Sequence, residues 1–186
     1  MTPTPSTTPA RPHDPWAIRP FAAAQDAADL RRLDTSIETD RAYAIQRRPD
    51  GVLLVEATLP GAIAKRFDID LAAVPVQHGW VALRAGQVQG FVGVSVEAWN
   101  SRLAIWHFYV ARAHRGLGAG RLLMTQALAW GRERGARSAW IETSNLNVPG
   151  IRAYAALGFE VCGFDTSIYR HTAARAEFAL FMSRDA

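Results

Sequence analysis

The chain has 186 residues, 49% of them hydrophobic and 20% charged, as expected of one globular domain with a sizeable core. Lys+Arg 21 against Asp+Glu 17 makes it mildly basic, but the arginines are scattered and no basic stripe interleaves with aromatics, which argues against nucleic acid as a partner. The single cysteine, Cys162, excludes an internal disulfide or a cysteine metal cluster; without a membrane-length apolar run or a signal segment, a cytoplasmic, metal-free protein is the expectation.

Residues 1–14 carry Pro3, Pro5, Pro9 and Pro12 among threonines and read as a disordered tail, leaving 15–186 as one domain. Trp16–Arg19 reads as a short strand ended by Pro20, and Ala22–Leu33 as an alanine-rich helix. Asp34–Asp40 is expected to be an acidic loop. Arg41–Gln46 and Val52–Thr58 read as strands around Pro49-Asp50-Gly51, followed by an irregular or short helical connection over 61–70. Trp80–Arg84 and Val88–Val96 form a hairpin across Ala85-Gly86-Gln87.

Ile105–Val110 is a β-branched and aromatic run, hence a strand. His107 is read as sharing a strand face with Ile105 and Tyr109. The turn that follows holds Gly116, Gly118 and Gly120, then enters Arg121–Arg134, whose Leu122, Leu123, Ala127 and Trp130 sit at helical spacing. Strand, glycine turn and helix N-terminus together present free N–H groups and a positive helix end, with Arg112, Arg115 and Arg121 adding charge. That is an anion site suited to a pyrophosphate. The P-loop is excluded because Arg121 and Leu122 follow Gly120, and the dinucleotide fingerprint because Arg121 stands where its third glycine belongs. A plain connecting turn is the other reading.

Ser138–Thr143 reads as a strand. Asn147 caps a helix with Pro149 in its first turn, closing at Leu157-Gly158. Asn147, Ile151 and Tyr154 share one face of it. Phe159–Phe164 and Glu177–Met182 are the last strands. The order implies an α/β (α+β mixed) fold: a mixed sheet with helices on both faces.

Arg115-Gly-Leu-Gly118-Ala-Gly120 resembles the pyrophosphate-binding signature of the GNAT superfamily of N-acetyltransferases, and Asn147 through Tyr154 to Gly158-Phe159 resembles its second signature. The resemblance implies the GNAT acyltransferase fold, a mostly antiparallel sheet splayed at its centre, with acetyl-CoA as co-substrate. It implies that Arg115, Gly116, Leu117, Gly118, Ala119, Gly120 and Arg121 hold the pyrophosphate, that Phe108, Tyr109 and Val110 hold the pantetheine, and that Asn147 and Tyr154 line the cofactor. Tyr154 would then be the acid for the leaving thiolate, and backbone N–H groups near Tyr109 and Val110 the oxyanion donors. Glu142, near the end of its strand, is the favoured base, with His107 as the rival.

Shorter segments resemble streptothricin acetyltransferases: Asp34–Asp40, Trp99-Asn100, Ile141–Thr143 with Asn145 and Asn147, Gly163–Tyr169, and Glu177–Phe181. Such enzymes acetylate a primary amine of a cationic antibiotic, so the implied partner is a small-molecule amine. That family tends to have acidic residues where this chain has Trp106 and His107. Asp34, Glu38, Glu142 and Asp165 remain as carboxylates for a cation, with Trp99 and His107 beside them as candidate substrate contacts. A protein or peptide N-acetyltransferase and a non-catalytic acyl-CoA-binding module stay open, and superfamily habit admits a homodimer.

Overall fold

The computed structural model describes residues 15–186; the expected tail, 1–14, lies outside the described residues. A seven-stranded sheet runs in the order β1-β4-β5-β6-β7-β9-β8, with β1 Ala17–Pro20, β4 His78–Arg84, β5 Gln87–Glu97, β6 Arg102–Val110, β7 Ser138–Ser144, β8 Glu160–Asp165 and β9 Ala179–Asp185. Every neighbouring pair is antiparallel except β6 and β7. β2 (Ile37–Arg48) and β3 (Gly51–Lys65) form a separate two-stranded arm.

Helices α2 (Ala119–Glu133) and α3 (Val148–Ala156) cover one sheet face. Leu103, Ile105, Leu123, Met124, Leu180 and Met182 meet there, all at most 2% exposed. Each such side chain contributes about 1.5–3 kcal/mol by leaving water. Helix α1 (Ala23–Arg32) covers part of the opposite face, setting Leu30 on Val81, Val88 and Phe91. No side chain caps α1 at Ala22. Instead buried Asp26 accepts the Ala22 N–H at 2.8 Å and grips Arg19 of β1 through two bonds, of 2.6 and 2.8 Å.

The expected architecture is present, with two local corrections. Residues Ile37–Asp40 are strand rather than acidic loop: Ile37 and Thr39 are buried while Glu38 and Asp40 face outward, a period-2 pattern that the polar composition disguises. Residues Gly61–Lys65 likewise belong to β3 rather than to an irregular connection. The register steps from Thr39↔Ile63 to Arg41↔Thr58, so Pro60-Gly61 falls in a bulge, where a missing N–H is tolerated.

Candidate active site

The parallel pairing of β6 with β7 ends at Ile105↔Ile141, although β6 runs on to Val110 and β7 to Ser144. At the same point β6 bulges. Its register against β5 steps from Val94↔Ile105 to Gly93↔His107, leaving Trp106 as the extra residue. A bulge bends and twists its strand, which opens the gap beside it. It also corrects the expected strand face of His107. Ile105 belongs to the α2–α3 core, whereas Trp106 and His107 both lie on the opposite face. Beyond the bulge alternation resumes: Ala111 donates to Gln89 at 2.8 Å across β5, so the N–H groups of Val110 and Phe108 turn toward the gap.

The glycine turn closes the same end of the gap. Gly116 (φ 76°) and Gly118 (φ 92°) have left-handed backbone, and a Cβ built on either meets no atom within 4 Å. Gly118 is the N-cap of α2 and has no side-chain cap, so the first N–H groups of α2 face this open cradle, with exposed Arg121 in the first turn. A Cβ on Gly120 would come 3.3 Å from Phe108, so this glycine serves the packing of α2 on β6. Arg115 Nε donates to the Val110 carbonyl at 3.0 Å, which joins the turn to the end of β6. Open backbone, helix end and arginines together fit a pyrophosphate.

On the α3 side stands Tyr154, buried, its ring 5.9 Å from Phe108. Asn147 caps α3 by accepting from Gly150 N at 3.1 Å, and its amide donates to Thr143 Oγ1 at 2.9 Å. Burial pushes the Tyr154 hydroxyl up to about 12; Thr143, Asn147 and Arg115 pull the other way. The group stays protonated throughout the neutral range. Asn147 thus holds Tyr154 and Thr143 together at the floor of the gap, with its carbonyl taken by the helix end.

Glu142 lies on the opposite face of β7, half-buried, and Tyr169 Oη donates to its Oε1 at 2.6 Å. Tyr109 stands near both sides: burial raises its hydroxyl well above the usual phenol range, helped by Tyr154, Asp68 and Glu142. His107 is only 6% exposed, against Phe91 and Tyr109, and burial lowers it despite Asp70. A ring so placed stays neutral and out of reach of solvent.

The remaining candidates separate. Asp34 and Glu38 sit near the turn, where the Asp34 carbonyl accepts the Arg112 N–H at 3.0 Å and Glu38 pairs with the Arg112 guanidinium at 2.8 Å. The Asp34 carboxylate accepts from Ser36 N and Oγ, which keep it below the usual range. Asp165 is engaged alike, by Ser167 N and Oγ and by Ile168 N. Trp99 is 84% exposed in the β5–β6 hairpin, at the opposite end of β6 from the turn, and is not brought to the others. Sequence reasoning gave no role to Asp68, Thr143, Asn145 or Tyr169. For Tyr169 the signal was the Asp165-x-Ser167 turn ahead of it.

Among the described residues no group of three or more His, Cys, Asp or Glu could hold a metal, and no helix is long and apolar enough to cross a membrane.

Residues 39–159 match the acetyltransferase (GNAT) family model, and the chain belongs to that family. It transfers acetyl from acetyl-CoA to a primary amine. Among its relatives, the streptothricin acetyltransferase of Streptomyces lavendulae is 38% identical over 168 residues, 85% of this chain and 89% of the relative. The crystal structure of a nourseothricin acetyltransferase superposes with TM-score 0.83 at 38% identity, covering 91% of this chain and 98% of that one. A Bacillus anthracis protein solved with acetyl coenzyme A superposes with TM-score 0.77 over 92% of this chain and 100% of that one; at 23% identity this likeness shows the fold.

Proposed function

We propose that this chain acetylates a primary amine of a streptothricin-like cationic antibiotic, and so confers resistance to it. Residues Arg115–Arg121 hold the pyrophosphate of acetyl-CoA and Phe108–Val110 its pantetheine arm. Acetyl-CoA supplies the activated acyl group as a thioester. Glu142 accepts the proton of the attacking amine, directly or through water, and the cationic amine is drawn to it and to Asp68. The Val110 N–H, turned into the gap, donates to the carbonyl oxygen as negative charge develops there. Tyr154 returns a proton to the departing sulfur. Transfer is direct; Cys162, exposed on edge strand β8, takes no part.

The observation that carries this reading is the break in β6–β7 pairing, with Tyr154 beneath the gap and Glu142 on its other face. The names of the relatives support the substrate, and the use of acetyl-CoA supports a cytoplasmic location. Protein mass spectrometry is not needed to test it: the drug itself is analysed after incubation with enzyme and acetyl-CoA. One acetyl group on a streptothricin amine is expected. Unmodified drug beside a readily acetylated peptide N-terminus would overturn the assignment.

A further inference from the structure

The segment from Asp165 to Phe178 is pinned at both ends. At its start the Asp165 carboxylate gathers Ser167 N, Ser167 Oγ and Ile168 N within 2.6 to 3.2 Å, which folds the chain back toward the sheet. At its end Glu177 accepts from Ser144 Oγ of β7 and from Lys65 of β3. The Phe178 N–H donates to Asn145 Oδ1 at 3.1 Å, while the Asn145 amide donates to the Tyr43 carbonyl of β2 at 2.9 Å. Between these anchors Tyr169 turns inward and Arg170, His171 and Thr172 face solvent. Its hydroxyl reaches back 27 residues to Glu142 Oε1, at 2.6 Å.

We propose that Tyr169 is a positioning residue: by donating to Oε1 it fixes the Glu142 carboxylate so that Oε2 is presented to the substrate amine. A half-buried glutamate has three side-chain torsions, and a base must sit within about 3 Å of the proton it takes. One charge-assisted hydrogen bond from a group anchored on a separate segment removes that freedom. Burial and the Glu142 and Glu177 carboxylates keep the Tyr169 hydroxyl protonated, so it serves as a donor across the working pH range. In this arrangement Asp165 is a turn-forming residue that delivers Tyr169, rather than a contact for the substrate.

The proposal rests on Glu142 acting at the amine, so the test is a double-mutant cycle read as kcat/KM for streptothricin. Tyr169→Phe keeps the ring and loses the donor. It is expected to lower kcat/KM roughly tenfold in the wild-type background and less than about twofold in Glu142→Gln, where the carboxylate is already gone. Its melting temperature and its calorimetric affinity for acetyl-CoA should match the wild type. Equal losses in both backgrounds, or a loss that follows melting temperature or coenzyme affinity, would mean that Tyr169 merely supports the fold. A damaged Glu142→Gln beside an unaffected Tyr169→Phe overturns the positioning role alone. Full activity in Glu142→Gln removes the underlying reading of Glu142 and the positioning role with it.

Discussion

Tyr154 and Glu142 share one gap but sit in different surroundings, and the contrast suits the separate roles proposed for them. Burial pushes the Tyr154 hydroxyl up to about 12, so in the proposed mechanism it holds its proton until a basic thiolate is generated beside it. Tyr154→Phe is therefore expected to lower kcat by about 10²- to 10⁴-fold, with KM for acetyl-CoA changed far less. An unchanged kcat in that variant would remove Tyr154 from the chemistry. Tyr154 and Tyr169 together mark where residue-level reading of the sequence reached its limit. Tyr154 was legible because its distance from Asn147 and from Gly158-Phe159 forms a local pattern. Tyr169 was not, since its partner lies 27 residues away and only the tertiary fold joins them. His107 misled for a related reason: strict alternation from Ile105 puts it on the wrong face, and nothing in Ile-Trp-His-Phe announces a bulge.

At the level of elements, helix α3 and its cap form a tight unit. A Cβ on Gly150 would lie 2.3 Å from Asn147 Nδ2, and Asn147 is buried and tied to Thr143. Gly150→Ala should therefore displace the cap and destabilise the protein by about 1–2 kcal/mol, the usual cost of losing an N-cap, which denaturant melts would measure. The glycine turn behaves differently. Gly118→Ala meets open space but a φ of 92°, so strain at the α2 N-terminus rather than a clash should raise KM for acetyl-CoA.

Helix α1 gives a pH test. Asp26 is held below its ordinary carboxylate value, first by Arg19 and then by the Ala22 N–H, against the effect of burial. A depressed folded-state pKa means that its stabilising contribution is full above the unfolded value of about 3.9 and fades as pH falls through the folded one. Asp26→Asn should thus melt below the wild type at pH 7, and the difference should shrink below about pH 4. A gap that persists at acid pH would mean that shape rather than charge holds α1 to β1. Strands of this kind were read well wherever apolar residues ran together. They were lost over Ile37–Asp40, where alternation carried the signal and composition hid it.

Over the whole molecule, the site is a joint product of pieces distant in the chain: the β2–β3 arm, the β6–β7 gap and the Asp165–Phe178 segment. Asn145 fastens all three, pairing with Tyr43 through its main chain and amide and with Phe178 through its main chain and Oδ1. The layer order was readable from sequence, because strand and helix periods and the glycine turn are local. The docking of the arm was not, because the partners that receive it, the core under Tyr43 and Leu54 and the side chain of Asn145, lie far from it in the chain. Acetyl transfer to a streptothricin amine would release free thiol from acetyl-CoA, and that release is the measurement to make. Purified protein would be assayed against streptothricin, an aminoglycoside, lysine, a polyamine and a short peptide, and compared by kcat/KM. Turnover with streptothricin is expected to exceed that with the others by about 100-fold or more. Equal or greater turnover with another amine, or coenzyme binding without thiol release from any of them, would contradict the proposed function.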